Sequence, residues 1–173
     1  MAATVTPLID LSVEPLTAEA FAAFGTVIPP TEDGVPFGPD DAQLDLANGT
    51  PRFYAMRIPG CGFVVSRITR HRKVTQALAS VGGHPWVMAV APPFNSDAPD
   101  AQPKLEDIKA FLIPGDVAVM LHRGAWHAGP LFEAGTEASF FNLELADTNV
   151  VDHHTVDLAA TYGVALNLTR TGL

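Results

Sequence analysis

Six side chains in this sequence have the chemistry to move a proton and hold an anion: His71, His127, Glu144, Gln76, Asn142 and Arg52. An imidazole titrates near pH ~6.5, so a neutral histidine suits proton transfer close to neutrality. An arginine fork can give one carboxylate two parallel hydrogen bonds, which makes Arg52 a candidate clamp. Spacing assigns faces. Thr69 and His71 lie two apart and share one side of a strand, taken as the inward side, with Arg70 and Arg72 on the other. Asn142 and Glu144 share one face and Phe141, Leu143 and Leu145 the opposite one, the alternation of a strand with a polar cavity on one side. The plainer alternative is that Glu144 faces water on an outer sheet. Gln76 stands at the entry of the next apolar run, and His127 closes Gly124-Ala125-Trp126-His127. The adjacent pair His153-His154 cannot face one way on a strand and is assigned to a loop. His84 and His122 fall at turns, after Gly82-Gly83 and before Arg123.

The elements that must position these residues are mostly short and β-rich. Runs at Arg52 to Ile58, Gly62 to Thr69, Thr75 to Val81, Trp86 to Ala91, Val117 to Leu121 and Ser139 to Leu145 are parted by Pro59-Gly60, Gly82-Gly83 and Pro114-Gly115-Asp116. Before them, Leu16 to Gly25 reads as a short helix with Thr17 as N-cap, Gly25 just past its end, and Leu16 placed to staple onto Phe21. A second short helix is expected over Leu105 to Phe111, where Leu105, Ile108 and Phe111 fall on one side. Residues 29–51, rich in proline, glycine and acids, are expected to be a surface loop, long enough to suggest a cover over a binding site. The fold class is therefore all-β: a closed antiparallel barrel or jelly roll with a short N-terminal helix and one additional helix. No repeat or second domain is seen, so residues 1–173 are read as one domain.

Composition narrows the partners. With 173 residues, 47% of them hydrophobic and 17% charged, the chain fits one globular domain. Ten basic and nineteen acidic residues give −9, which repels nucleic acid and anionic membrane surfaces. Neither is an expected partner. Within this acidic chain, Leu46 through Ser96 contain no Asp or Glu while holding Arg52, Arg57, Arg67, Arg70, Arg72 and Lys73. That stretch is either a solvated strand face or a pocket for a small anion. No apolar run approaches the ~20 residues of a membrane span, the first basic residue is Arg52, and the lone Cys61 forms no internal bridge. These features favour a cytoplasmic protein.

Two segments carry a family likeness. Thr69-Arg70-His71-Arg72-Lys73-Val74-Thr75-Gln76, ending at Gly82-Gly83, and Gly115-Asp116 through His127 resemble the two cupin motifs. Thr69, His71, Gln76 and Gly83 occupy the places of the first, and Gly115, Gly124 and His127 those of the second. The first histidine and the glutamate of the usual pattern are replaced. A closer resemblance is to the ureidoglycolate lyase family, small cupins that split ureidoglycolate into glyoxylate and urea. The opening segment Leu16 to Gly25, Asn48-Gly49-Thr50-Pro51-Arg52, Arg70-His71 with Gln76, and Gly124-Ala125-Trp126-His127 carry it. Thr69 and Ala128 depart from the glutamate and histidine common at those places in the family.

The resemblance implies that the barrel gathers His71, Gln76 and His127. Two neutral imidazoles and an amide oxygen would then be a weak set for a divalent metal of unspecified identity, with no organic cofactor required. It also implies a homodimer and a small anionic substrate. Cleavage would use His127 or His71 as base, Arg52 on the carboxylate, Gln76 and Asn142 on the ureido group, and Glu144 as acid or holder of a histidine tautomer. A related hydroxy or amino acid as substrate, or a cupin that binds a carboxylate without converting it, are the other readings of the same cavity.

Overall fold

The structure is a computed structural model that describes residues 6–170. The chain runs β1 (Leu8–Pro15), α1 (Ala18–Phe21), β2 (Gly25–Ile28), β3 (Pro51–Pro59), β4 (Val64–Val65), β5 (Arg67–Arg70), β6 (Gln76–Val81) and β7 (Trp86–Ala91). After a long loop and a 3-10 turn at Leu105–Asp107 come β8 (Lys109–Ile113), β9 (Ala118–Leu121), β10 (Trp126–Leu131) and β11 (Glu137–Leu145). Then follow α2 (Thr148–Val151), β12 (His154–Asp157), α3 (Leu158–Tyr162) and β13 (Ala165–Thr169). One sheet has the order β12-β5-β10-β7-β8-β1-β13-β4 and the other β2-β9-β6-β11-β3. Curled against each other, they form the expected cupin-type barrel. Its pairing is antiparallel except at β1, which runs parallel to both β8 and β13.

Both faces of the larger sheet are covered. From β7, Trp86, Met88 and Val90 enter a core between the sheets with Phe21, Phe24, Phe111 and Phe140, while Val87, Ala89 and Ala91 enter a second core with Trp126, Val156 and Leu168. That double coverage explains why β7 is an unbroken apolar run rather than an alternating one. It also corrects the helix expected over Leu105 to Phe111. Phe111 and Ile113 face the first core and Ile108 and Ala110 the second, so the segment after the 3-10 turn is a strand between β7 and β1. The helices beyond the N-terminal one are α2 and α3, both near the C-terminus.

The N-terminal helix forms where expected but is short. Thr17 Oγ1 accepts the Ala20 N–H at 3.1 Å, and Leu16 packs beside Phe21. Gly25 follows because the chain must press directly onto β9: a Cβ there would lie 1.9 Å from the Met120 carbonyl oxygen. The run Gly62 to Thr69 is divided into β4 and β5. Residues 29–51 contain no regular element up to β3. They brace the outside of one barrel end, where Asp45 pairs with Arg123 at 2.9 Å and exchanges hydrogen bonds with Thr75.

Candidate active site

β5 and β10 bring the two motif segments together. Their register sets His127 opposite Thr69 and Trp126 opposite Arg70. Beyond the strand ends, the Gly124 N–H donates to the His71 carbonyl at 2.6 Å and Arg123 Nε to the Arg72 carbonyl at 3.0 Å. Gly124 takes φ 80°, the left-handed region open to glycine, which lets this turn close. On the facing sheet, β11 lies between β6 and β3, so Asn142 and Glu144 stand beside Gln76 and Tyr54. Together these strands enclose a cavity of about 430 Å³ that meets His71, Gln76, His127, Asn142 and Glu144. The His71 and His127 ring centroids are 5.1 Å apart.

One polar network fills the cavity wall. Glu144, only 1% exposed, accepts from the Tyr54 hydroxyl at 3.0 Å, Gln76 Nε2 at 3.1 Å and Asn149 Nδ2 at 3.2 Å. Asn142 donates to the Tyr54 oxygen at 3.0 Å and accepts from Gln76 Nε2 at 3.2 Å. Every bond to Glu144 is donated to it, so the residue acts as an acceptor that orients two amides and a phenol. The outer-sheet alternative for Glu144 is excluded by its burial. It holds no histidine tautomer directly.

That task falls to Asp152. The Asp152 main-chain oxygen lies 2.6 Å from His71 Nδ1. A carbonyl can only accept, so His71 carries its proton on Nδ1 and its lone pair on Nε2. The buried Asp152 carboxylate meanwhile accepts the N–H groups of Arg72 at 2.8 Å and Lys73 at 2.7 Å, fixing the turn that presents His71.

Burial holds the His71 pKa below its ordinary 6.5, opposed by the Asp152 backbone bond and the Glu144 charge. His127 is pushed down to about 3, first by burial and then by His71; the Ala125 backbone opposes this without forming a full hydrogen bond to Nδ1. Both imidazoles are neutral around pH 7. His127 Nδ1 and Gln76 Oε1 are buried without hydrogen-bond partners. Among the described residues no three His, Cys, Asp or Glu side chains converge as a metal-holding group. The expected ligands therefore amount to two imidazoles and one free amide oxygen, all neutral, a fit only for a weakly held ion.

Arg52, expected on the substrate, is exposed and is not among the residues that line the cavity. It lies opposite Glu144 in the β3–β11 register, with Cζ 3.7 Å from the Tyr54 ring centroid. The expected solvated face of Arg70 is corrected: its side chain is fully buried, stacked at 4.7 Å on Trp126, bonded through Nε to His154 Nδ1 at 3.1 Å and donating to the Ala98 carbonyl at 2.5 Å. The loop assigned to His153-His154 holds for His153, which lines the cavity with its ring 5.6 Å from that of His71, and is corrected for His154, which opens β12. No residue of 29–51 lines the cavity.

Sequence reasoning missed Tyr54, Arg67, Asn149, Asp152 and His153. Period two from Arg52 would have found Tyr54. Asn149 and Asp152 come from α2 and its end, which carry no local signal of their place.

A family model described as ureidoglycolate lyase matches residues 37–162. The ureidoglycolate lyase of Stutzerimonas stutzeri (strain A1501) is 31% identical over 140 residues, covering 68% of this chain and 72% of the relative. That of Burkholderia mallei (strain NCTC 10229) is 32% identical over 145 residues, covering 75% and 79%. Ureidoglycolate lyase 1 of Rhizobium meliloti (strain 1021) is 30% identical over 151 residues, with the same coverage of 75% and 79%. The matched span contains both motif segments, all of β11 and the Asp152 that fixes His71, and on that extent the chain belongs to the ureidoglycolate lyase family.

Proposed function

We propose that this protein is a lyase that splits ureidoglycolate into glyoxylate and urea in the cytoplasm. The observation that carries the reading is the His71 tautomer, which turns a basic Nε2 toward a cavity that also holds His127, His153, the oriented amides of Gln76 and Asn142 and the Glu144 carboxylate. His71 Nε2 takes the proton of the substrate hydroxyl, the carbon–oxygen double bond forms, and the C–N bond breaks with its electron pair on the departing nitrogen. The imidazolium returns the proton to that nitrogen, giving urea. Glu144, whose charge already favours protonated His71, stabilises the imidazolium between the two transfers.

His127 is the weaker base, because a pKa of about 3 opposes protonation at neutral pH. It serves as a neutral hydrogen-bonding partner to the reacting oxygens. Arg52, outside the lining, reaches the carboxylate, assisted by Arg67 on the cavity wall, whose pairing with Asp157 at 3.7 Å is loose and solvent-exposed. Gln76 and Asn142 orient the ureido group. His71, His127 and Gln76 are also the residues that would hold a divalent ion, which when bound would polarise the hydroxyl and carboxylate oxygens. No organic cofactor is needed for this elimination.

The functional unit is proposed to be a homodimer formed through the outer face of the smaller sheet. Phe53 and Phe141 stack there at 5.3 Å beside Ala55 and Leu143. The deciding experiment is a product assay with ureidoglycolate. Equal release of urea and glyoxylate, with Arg52→Ala raising KM about tenfold or more, is expected; absence of glyoxylate overturns the reading.

A further inference from the structure

A second cavity, of about 380 Å³, opens where β7 and β11 begin and β10 ends. Aromatic rings line it: Phe63, Trp86, Phe132 and Phe140. Of the described residues around it, only Leu131 also lines the cavity of His71 and His127, so it is a different site.

Its walls are pinned. Trp86 and Phe132 both pack on Phe140, with ring centroids 5.4 Å and 5.7 Å from it. The turn from β10 to β11 is tied to the chain between β3 and β4. There the Gly60 N–H donates to the Thr136 carbonyl at 2.8 Å and the Gly62 N–H to the Phe132 carbonyl at 3.0 Å. Only glycine permits that approach at position 60, because a Cβ would lie 2.0 Å from the Glu133 carbonyl oxygen. The backbone that carries Glu133 and Glu137 into the cavity wall is therefore held in place.

The charged residues of this wall are of both signs and unpaired. Glu133 and Glu137 belong to the turn and to the start of β11 in the smaller sheet, whereas Arg170 follows β13 in the larger one. Among the described residues the ion pairs are Arg67–Asp157, Lys109–Glu14 and Arg123–Asp45, so Arg170 is joined to neither glutamate. Burial lowers the Arg170 pKa from its ordinary 12.5, and no nearby carboxylate opposes this. A half-buried guanidinium has thus given up water without gaining an acceptor. The buried indole N–H of Trp86 likewise has no acceptor among the described residues.

A cation on one side, two carboxylates on another and aromatic rings between them are the complement of a zwitterion with an apolar body. We propose that this second cavity binds a free α-amino acid with an aromatic side chain. Its carboxylate takes the Arg170 fork, its ammonium group meets Glu133 and Glu137, and its ring packs among Phe63, Trp86, Phe132 and Phe140. A volume of about 380 Å³ lies in the range of roughly 300–1,000 Å³ of small-molecule sites. A carboxylate without the ammonium group would meet two glutamates of its own sign, and an amine without the carboxylate would leave Arg170 unpaired. No bond of the ligand is made or broken.

The test is calorimetric titration of the full chain with L-phenylalanine, 3-phenylpropionate and 2-phenylethylamine. The same titration follows for Arg170→Gln, Glu137→Gln and His71→Ala, each checked for retained structure by circular dichroism. Phenylalanine is expected to bind at least about tenfold more tightly than either singly charged analogue, and to lose at least about tenfold in affinity in Arg170→Gln and in Glu137→Gln. Binding to His71→Ala is expected to be unchanged, which separates this site from the candidate active site. Absence of phenylalanine binding by the unaltered chain overturns the proposal. Equal binding of the analogues, an affinity untouched in both folded charge variants, or loss of binding in folded His71→Ala overturns it as well.

Discussion

His71 faces the cavity through Nε2 because Asp152 occupies Nδ1, and two opposing influences set its basicity: burial lowers the pKa and the nearby Glu144 charge raises it. The carboxylate of Asp152 acts at one remove, by holding the N–H groups of Arg72 and Lys73. Asp152→Asn keeps the carbonyl but offers one acceptor oxygen in place of two, leaving an N–H unpaired. The expected cost is about 1–3 kcal/mol of stability, with a fall in kcat and little change in KM, read by denaturant titration beside steady-state kinetics.

Acid should expose the other histidine. The folded pKa of His127 lies near 3, below the 6.5 of the unfolded chain, so its contribution is complete above pH ~6.5 and is lost as pH falls toward 3. The loss is on the order of 5 kcal/mol at the acid end. Unfolding free energy measured between pH 7 and 4 should drop steadily, and less steeply in His127→Asn; a flat profile contradicts the buried, neutral imidazole.

Among the elements, β2 begins pressed directly onto the backbone of β9. Gly25→Ala would drive a Cβ into the Met120 carbonyl and part the Gly25–Leu121 pairing, with an expected loss of more than about 2 kcal/mol in a melting experiment. Element types were readable where local pattern and packing agree. Trp86–Ala91 is a strand from end to end, and Thr17 caps its helix. The segment after Leu105 misled because apolar residues at helical spacing also arise in a strand buried on both faces, and only its neighbours β7 and β1 decide between them. β1 and β13 were not foreseen since each is stabilised by pairing across more than 150 residues, as Leu8 with Ala165 shows, which no local window contains.

The site divides the same way. Asn142 and Glu144, and Thr69 and His71, were legible through period two on strands, whereas Asp152 and Asn149 owe their roles to where the chain turns after β11.

The whole molecule presents an acidic surface with an apolar exception on the smaller sheet, where Phe53 is 67% exposed and stacked on Phe141. Stacked aromatics on an open sheet face suit burial against a second copy. Sedimentation should show a dimer, converted to monomer by Phe53→Glu combined with Phe141→Glu; a wild-type monomer at micromolar concentration contradicts that assembly. Among the described residues no helix is long and apolar enough to cross a membrane, which leaves open what strands do.

Fold, cavity and network all serve one basic nitrogen, so the decisive measurement is glyoxylate release from ureidoglycolate by His71→Ala against the unaltered chain. Loss of general acid–base catalysis predicts a fall in kcat of roughly 10²–10⁴-fold with the fold retained. Turnover within a few-fold of the unaltered protein would contradict the account.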